Sequence, residues 1–396
     1  MTASSSPPVG SISEQHWPLL DLIRFGAALL VLFGHARGLL FEGMARVEHP
    51  NALVRAFYLV SGLQHEGVVL FFVVSGFLVG GSVWRAVDAG RFNFRIYLTN
   101  RFARIYLVLV PALVLVLVLD VLGKSFLLDT RFYGVRPLWP VAVLGGWKWS
   151  QVPCHLLAVQ GVFCEPWGAD PPLWSLGYEW MLYLVAPAIF ATLLVPMQRP
   201  YRAASIALAL AGFAALTWWN RDWPIWFAFW MLGVAASQLF ATFRIGRASA
   251  IGGLAICAFG LALSRLAIVP PLAADAAVGL GVAIAVSSPA LMKWTAGMRI
   301  IARGAGFSYS LYLIHLPVCV FVGALLERWA GWPPQVVQPD AAGFAAFTVI
   351  VAVALCAAYA FARCTEDHTA AFRSWLMGLN PTSGWQQPRA TKSPRA

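Results

Sequence analysis

Arg24 and His35 stand eleven residues apart in LLDLIRFGAALLVLFGHARGLL (19–40), a run otherwise apolar enough to cross a bilayer. Guanidinium is a permanent cation; imidazole, with an ordinary pKa of about 6.5, is a base that can be neutral at working pH. An ionisable group inside a span costs about 2.5–3.5 kcal/mol even on a lenient insertion scale, so each one is a site candidate. On a helix, eleven residues turn through about 1100°, roughly 20° past three full turns, and rise roughly 16 Å. Both side chains therefore leave one face, one above the other. A packing account is also open, with Arg24 reaching the interface along its aliphatic stem and His35 satisfied in the core.

Four further stretches place polar groups where lipid should reject them. HEGVVLFFVVSGFL (65–78) sets Ser75 and Gly76 mid-span, where small residues also permit close helix packing. NRFARIYLVLVP (100–111) sets Arg101 and Arg104 one turn apart at the mouth of a span. Paired guanidiniums suit phosphate, and they equally anchor topology. PPLWSLGYEWMLYLVAP (171–187) offers Trp174, Ser175 and Glu179, the last two an i,i+4 pair on one face. Trp174 fits an interfacial belt; Glu179, four residues into an apolar helix, is harder to explain that way. FSYSLYLIHLPV (307–318) carries Ser308, Tyr309, Ser310, Tyr312 and His315, which could be interhelical hydrogen-bond partners or part of a site.

The elements that position these groups follow from composition. Of 396 residues, 60% are hydrophobic and 11% charged, and the mean hydropathy is +0.71. A water-soluble domain needs far more charged surface, so the expected fold is an all-α integral membrane bundle with no soluble domain. Net charge +11 is scattered through loops between apolar runs, which fits lipid headgroups and topology control rather than nucleic acid. Runs long enough to span fall near 19–39, 67–84, 104–122, 173–194, 203–219, 224–242, 249–268, 273–292, 306–326 and 342–362. The stretch 134–163 is interrupted by Pro137, Pro140, Lys148, Pro153 and His155. Reading it as a span would move Arg199, Arg202, Arg247, Arg363 and the other later basic loop residues to the outer side. Ten spans with both termini cytoplasmic keep them inside, with 123–172 an outer, non-spanning or re-entrant segment. Against that rule, Arg37, Arg46 and Arg55 follow the first span directly.

Residues 1–16 read as a flexible tail without a basic leader, so the first apolar run is expected to be retained. Residues 17–365 form the membrane domain, and 366–396 a cytoplasmic tail whose Pro/Ser/Arg-rich end reads as disordered. Cys154 and Cys164 share the outer segment, where an oxidising compartment permits a disulfide. Cys257, Cys319, Cys356 and Cys364 are expected to act as buried small hydrophobes. No cysteine spacing suggests a metal site.

The order Arg-x10-His, FFVVSGFL, NRFARIY, PPLWSLGYEWMLY and SYSLYLIH resembles the membrane-bound acyltransferase-3 family over about 17–365. That family O-acylates carbohydrates and related acceptors at bacterial membranes. The resemblance implies a ten-span core in a bacterial inner membrane, an acyl-CoA donor and no permanently bound cofactor. It marks Arg24, His35, Ser75, Arg101, Arg104, Trp174, Ser175, Glu179, Ser310, Tyr312 and His315. Two positions depart from the pattern. The proline after the basic motif comes late, at Pro111, and CTEDHTAAFR replaces the usual Glu-x-Pro, which gives Glu366 no expected role.

A mechanism follows as an expectation. Arg24, Arg101 and Arg104 hold the polar part of acyl-CoA at the cytoplasmic mouth, and its arm threads toward His35. His35 takes the acceptor hydroxyl's proton, Glu179 orients or charge-balances it, and Tyr312 or Ser310 meets the oxyanion. A covalent acyl-Ser or acyl-His route is open too. A secondary transporter or lipid-linked sugar flippase would also use intramembrane Arg, His and Glu, though no half-chain symmetry is visible. A third reading is a membrane assembly protein whose polar residues only pack.

Overall fold

The computed structural model describes residues 18–134, 148–243, 245–289, 291, 303–333 and 335–378. The chain runs α1 (Pro18–Leu40), α2 (Ala52–Ser61), α3 (Gln64–Ser75), a π turn over Gly76–Gly80 and α4 (Gly81–Asp88). It continues through α5 (Phe94–Phe126), α6 (Val152–Leu156), α7 (Trp174–Leu194), α8 (Arg199–Trp219), α9 (Trp223–Thr242), α10 (Arg247–Leu266) and α11 (Pro271–Val286). The last three are α12 (Ser308–Trp329), α13 (Ala341–Cys364) and α14 (Thr369–Leu376). Among the described residues, nine helices are long and apolar enough to cross a membrane. The expected run at 273–292 gives α11, sixteen residues or about 24 Å of helix, the short member of the set. The protein is an all-α membrane bundle.

Local signals set several helix starts. Asn51, Asn93 and Asp340 each accept a backbone N–H from three residues ahead, at Val54, Ile96 and Gly343, as N-caps do. Pro111, Pro187 and Pro317 lie inside α5, α7 and α12. Membrane helices tolerate such prolines because neighbours re-satisfy the freed carbonyls.

The polar centre depends on two close crossings. A Cβ at Gly76 would collide with the Trp230 carbonyl, and one at Gly233 with that of Val73. These glycines let α3, its π turn and α9 approach backbone to backbone. The π turn begins directly after Ser75 and aims that side chain inward. α12 is the most enclosed helix, whereas α8 buries none of its residues.

The bundle has two chemically different ends. At one, α1 begins and Arg24, Arg104 and Glu366 gather. At the other, Arg131 donates to the Leu39 carbonyl at 2.9 Å and pairs with Glu327, tying the segment after α5 to the tops of α1 and α12. This end also carries the Cys154–Cys164 disulfide. The braced loop is stitched onto the start of α7, with Gln160 donating to the Leu173 carbonyl at 3.2 Å and Asn220 to that of Gly161 at 3.0 Å. Burial lowers the His155 pKa, and its ring stacks on Trp167 at 4.3 Å. Burial first, and the Asp120 carboxylate second, raise Asp170 well above the usual carboxylate range. The part of the 134–163 stretch that is described, from residue 148, forms only a 3-10 turn and the five-residue α6; residues 135–147 lie outside the described residues. Of the other cysteines, Cys319 alone is buried; Cys257 is half-buried, and Cys356 and Cys364 face outward, which corrects the expectation of four core cysteines.

Candidate active site

α1 and α12 run side by side in the same direction, with Phe25 packed on Gly304 and Phe307 at one level and His35 meeting His315 at another. The His315 Nε2 and His35 Nδ1 atoms are 3.0 Å apart. His315 Nδ1 lies 3.1 Å from the Leu311 carbonyl and 2.9 Å from that of Tyr312. Carbonyls only accept, so Nδ1 of His315 carries the proton and its Nε2 accepts. His35 then donates from Nδ1, and the Val31 carbonyl is a further acceptor for that ring. The network thus assigns the tautomer: His35 keeps its lone pair on Nε2. The bare His315 was named in the sequence; its pairing with His35 was not.

One turn back along α12, the Tyr312 hydroxyl lies 2.6 Å from Ser175 Oγ and donates to the Pro172 carbonyl at 3.1 Å. The α7 start is thereby fastened beside the histidines. Trp174 is half-buried at the start of α7. It packs on Trp226 at 4.9 Å, and Trp226 in turn on Phe72 and His65, making an aromatic wall.

Glu179 does not reach His35. Its Oε1 accepts from Ser75 at 2.8 Å and from the Tyr183 hydroxyl, while Trp230 Nε1 donates to Ser75 at 3.3 Å. Tyr97 adds a bond to the Tyr183 carbonyl at 2.9 Å. The expected Glu179–His35 contact is replaced by the histidine pair, because residue 179 lies one turn beyond Ser175 and meets the π turn of α3 instead.

At the arginine end, Arg104 Nη2 pairs with Glu366 at 2.6 Å. The second Glu366 oxygen accepts the Ser310 hydroxyl at 2.9 Å and its backbone N–H at 3.2 Å. A carboxylate there satisfies the exposed amides of the first turn of α12 and complements its dipole. Glu366, given no role from sequence, is the residue that ties α5, α12 and the segment after α13 together. Ser310 is correspondingly engaged with Glu366 rather than turned toward the histidines. Arg24 lies 3.8 Å from Asp21 and within electrostatic reach of Arg104, Glu366 and Glu179. The Arg101 guanidinium sits 5.8 Å from the Tyr183 ring centre, with Nε buried and without a hydrogen-bond partner. Among the described residues no group of three or more His, Cys, Asp or Glu could hold a metal ion.

A family model described as an acyltransferase domain, acyltransferase family 3, matches residues 17–363. The chain belongs to that family. No curated protein and no solved structure matches it. As a membrane acyltransferase family member, the protein is expected to use an acyl donor and an acceptor. The arginine group, the Glu179–Ser75–Tyr183 network, the Tyr312–Ser175 couple and the imidazole pair form a polar path along α1 and α12. Tyr183, Tyr97 and Glu366 were missed in the sequence. Tyr183 had a signal, since it repeats the i,i+4 spacing of Ser175 and Glu179.

Proposed function

We propose that this acyltransferase moves an acyl group, acetyl by preference, from cytoplasmic acyl-CoA to a hydroxyl of a cell-surface or lipid-linked carbohydrate at a bacterial inner membrane. The observation that carries the reading is the His35–His315 hydrogen bond, which places the proton of His35 on Nδ1 and so makes Nε2 its basic nitrogen. The acceptor hydroxyl gives its proton to His35 Nε2 as its oxygen attacks the thioester carbonyl. The tetrahedral adduct collapses, the C–S bond breaks, and the CoA thiolate takes the proton from His35. Ester and free thiol are the products. His315 accepts from Nδ1 throughout and steadies the transient imidazolium. Tyr312, turned from its long bond to Pro172, donates to the oxyanion, with Ser175 behind it.

Arg24 and Arg101 meet the donor's phosphates, with Arg104 held by Glu366 as a positioned third cation. Glu179 balances this charge rather than that of the base. Arg24 and His35 are separated by roughly 16 Å of helix, comparable to an extended pantetheine arm. The disulfide supports an oxidising compartment for its end of the bundle, and with that orientation the arginine end would face the cytoplasmic donor.

The test is incubation of membranes with labelled acetyl-CoA. Label is expected on a lipid or glycan, and His35→Ala is expected to lower it by at least about 100-fold, the lower scale of general base catalysis, while still inserting. Near-normal labelling by that variant would remove His35 from the base role. Absence of label from any acyl-CoA, alongside transport of a sugar lipid, would favour a flippase.

A further inference from the structure

The disulfide-bearing end holds more positive charge than a positive-inside topology asks for. Of the three arginines in the last turn of α1 and just after it, two have partners there. Arg46 is 81% exposed and lies 3.7 Å from Glu42, and Arg55 donates to the Pro50 carbonyl at 3.1 Å. Arg37 differs. Its guanidinium lies over the Tyr58 ring, 5.1 Å from the centre, and its Nε is buried without a hydrogen-bond partner. Among the described residues it belongs to no ion pair. The groups that act on it electrostatically include the Tyr58 phenol and a second cation, Arg265 in the last turn of α10. Arg265 lies against Gly62, where a Cβ would displace its guanidinium, and donates to the Gly62 carbonyl at 2.9 Å. It too is in none of the described ion pairs. Of the carboxylates of this end, Asp275 pairs with His65 at 2.9 Å, Glu42 with Arg46 at 3.7 Å, and one Glu66 oxygen accepts from Ser264.

Tyr58 and Gly62 sit one turn apart at the end of α2, the Gly62 N–H donating to the Tyr58 carbonyl at 3.0 Å, so the two guanidiniums rest on adjacent turns of that helix. Neighbouring cations repel, and an anion between them relieves that repulsion. The planar fork of arginine matches phosphate oxygens. Apolar surface flanks the pair. Leu59 and Val60, next to Tyr58 on α2, are 52% and 44% exposed, and Leu266, next to Arg265, is 65% exposed. That combination fits a phosphate carried on an acyl or prenyl chain rather than a dissolved ion. Arg37 leaves α1 about 200° around from His35, so this place is separate from the imidazole pair.

We propose that Arg37 and Arg265 form a binding site for the phosphate of an amphiphile at the disulfide-bearing end of the bundle. Two sources share that chemistry, an anionic phospholipid headgroup and a polyprenyl phosphate carrying a sugar. The site stands whether or not His35 is the catalytic base, because its test needs no acyl donor. Native mass spectrometry of the purified full-length protein is run with polyprenyl phosphate, phosphatidylglycerol, uncharged polyprenol and inorganic phosphate. At least one phosphate amphiphile is expected to bind, with polyprenol and inorganic phosphate at least about tenfold weaker. Arg37→Gln and Arg265→Gln are each expected to weaken it about tenfold, the scale of one lost charge-assisted hydrogen bond, and Arg46→Gln to leave it unchanged. Gly62→Ala, which keeps both charges but displaces Arg265, is expected to weaken it as well. A clear preference for polyprenyl phosphate assigns the site to a sugar carrier; equal binding assigns it to bulk anionic lipid. Unchanged binding by a folded Arg37→Gln/Arg265→Gln double variant, or by Gly62→Ala, overturns the proposal.

Discussion

The two polar levels of α1 solve the problem of burying polarity in opposite ways. Around Arg24 the answer is compensation, with Asp21, Arg104 and Glu366 alternating in sign and Glu366 also closing the first turn of α12. Around His35 the answer is neutrality. Its partners include an imidazole nitrogen and a backbone carbonyl, both uncharged. A carboxylate beside His35 would favour the imidazolium and remove the lone pair a base needs. The contrast separates a level suited to hold charge from one suited to move a proton.

That contrast can be broken in graded steps. The largest effect is expected at the charged level. Glu366→Gln leaves Arg104 uncompensated and costs about 3 kcal/mol, the low end of the range for breaking buried pairs, because Arg104 is 32% exposed. Thermal unfolding of the purified protein checks it, and Arg104→Leu/Glu366→Leu should recover much of the loss. At the neutral level, His315→Ala takes away the acceptor of His35 Nδ1. A lost hydrogen bond to a buried group costs about 1–3 kcal/mol, so the melting midpoint should fall and transfer by the folded protein should fall roughly tenfold to a hundredfold as well. Acylation measured well below the melting midpoint separates the two effects, and unchanged transfer there would make His315 a packing residue. The smallest step lies between the levels. Ser75→Ala removes one donor from Glu179 but leaves that of Tyr183, so about 1 kcal/mol is expected, read by the same melt.

Much of this was legible in the residues. The all-helical membrane class follows from mean hydropathy, and the residues chosen for their polarity, Ser75, Arg104, Ser175, Glu179, Ser310, Tyr312 and His315 among them, make the interhelical hydrogen bonds and ion pair described above. What the residues could not show was who meets whom. Glu179 looked suited to orient His35, because both are polar groups in spans. The register of α7 sends it to Ser75 and Tyr183, and the histidine 280 positions away takes its place. Glu366 looked dispensable because the proline that usually follows it is missing. Its function depends on the carboxylate, and a 3-10 turn over Glu366–His368 delivers that carboxylate to Arg104 and Ser310 without the proline.

The sequence alone determined which polar groups enter the membrane and, through helical periodicity, that Arg24 and His35 share a face. Those are properties of hydrophobicity and of a regular helix, both local. Only the tertiary structure decided the tautomer of the imidazole pair, the compensation of Arg104 and the seating of Arg37 and Arg265 on adjacent turns of α2. Each of these depends on the relative rotation and depth of separate helices. Close crossings such as Gly76 against Trp230 set that geometry, and no single span contains it.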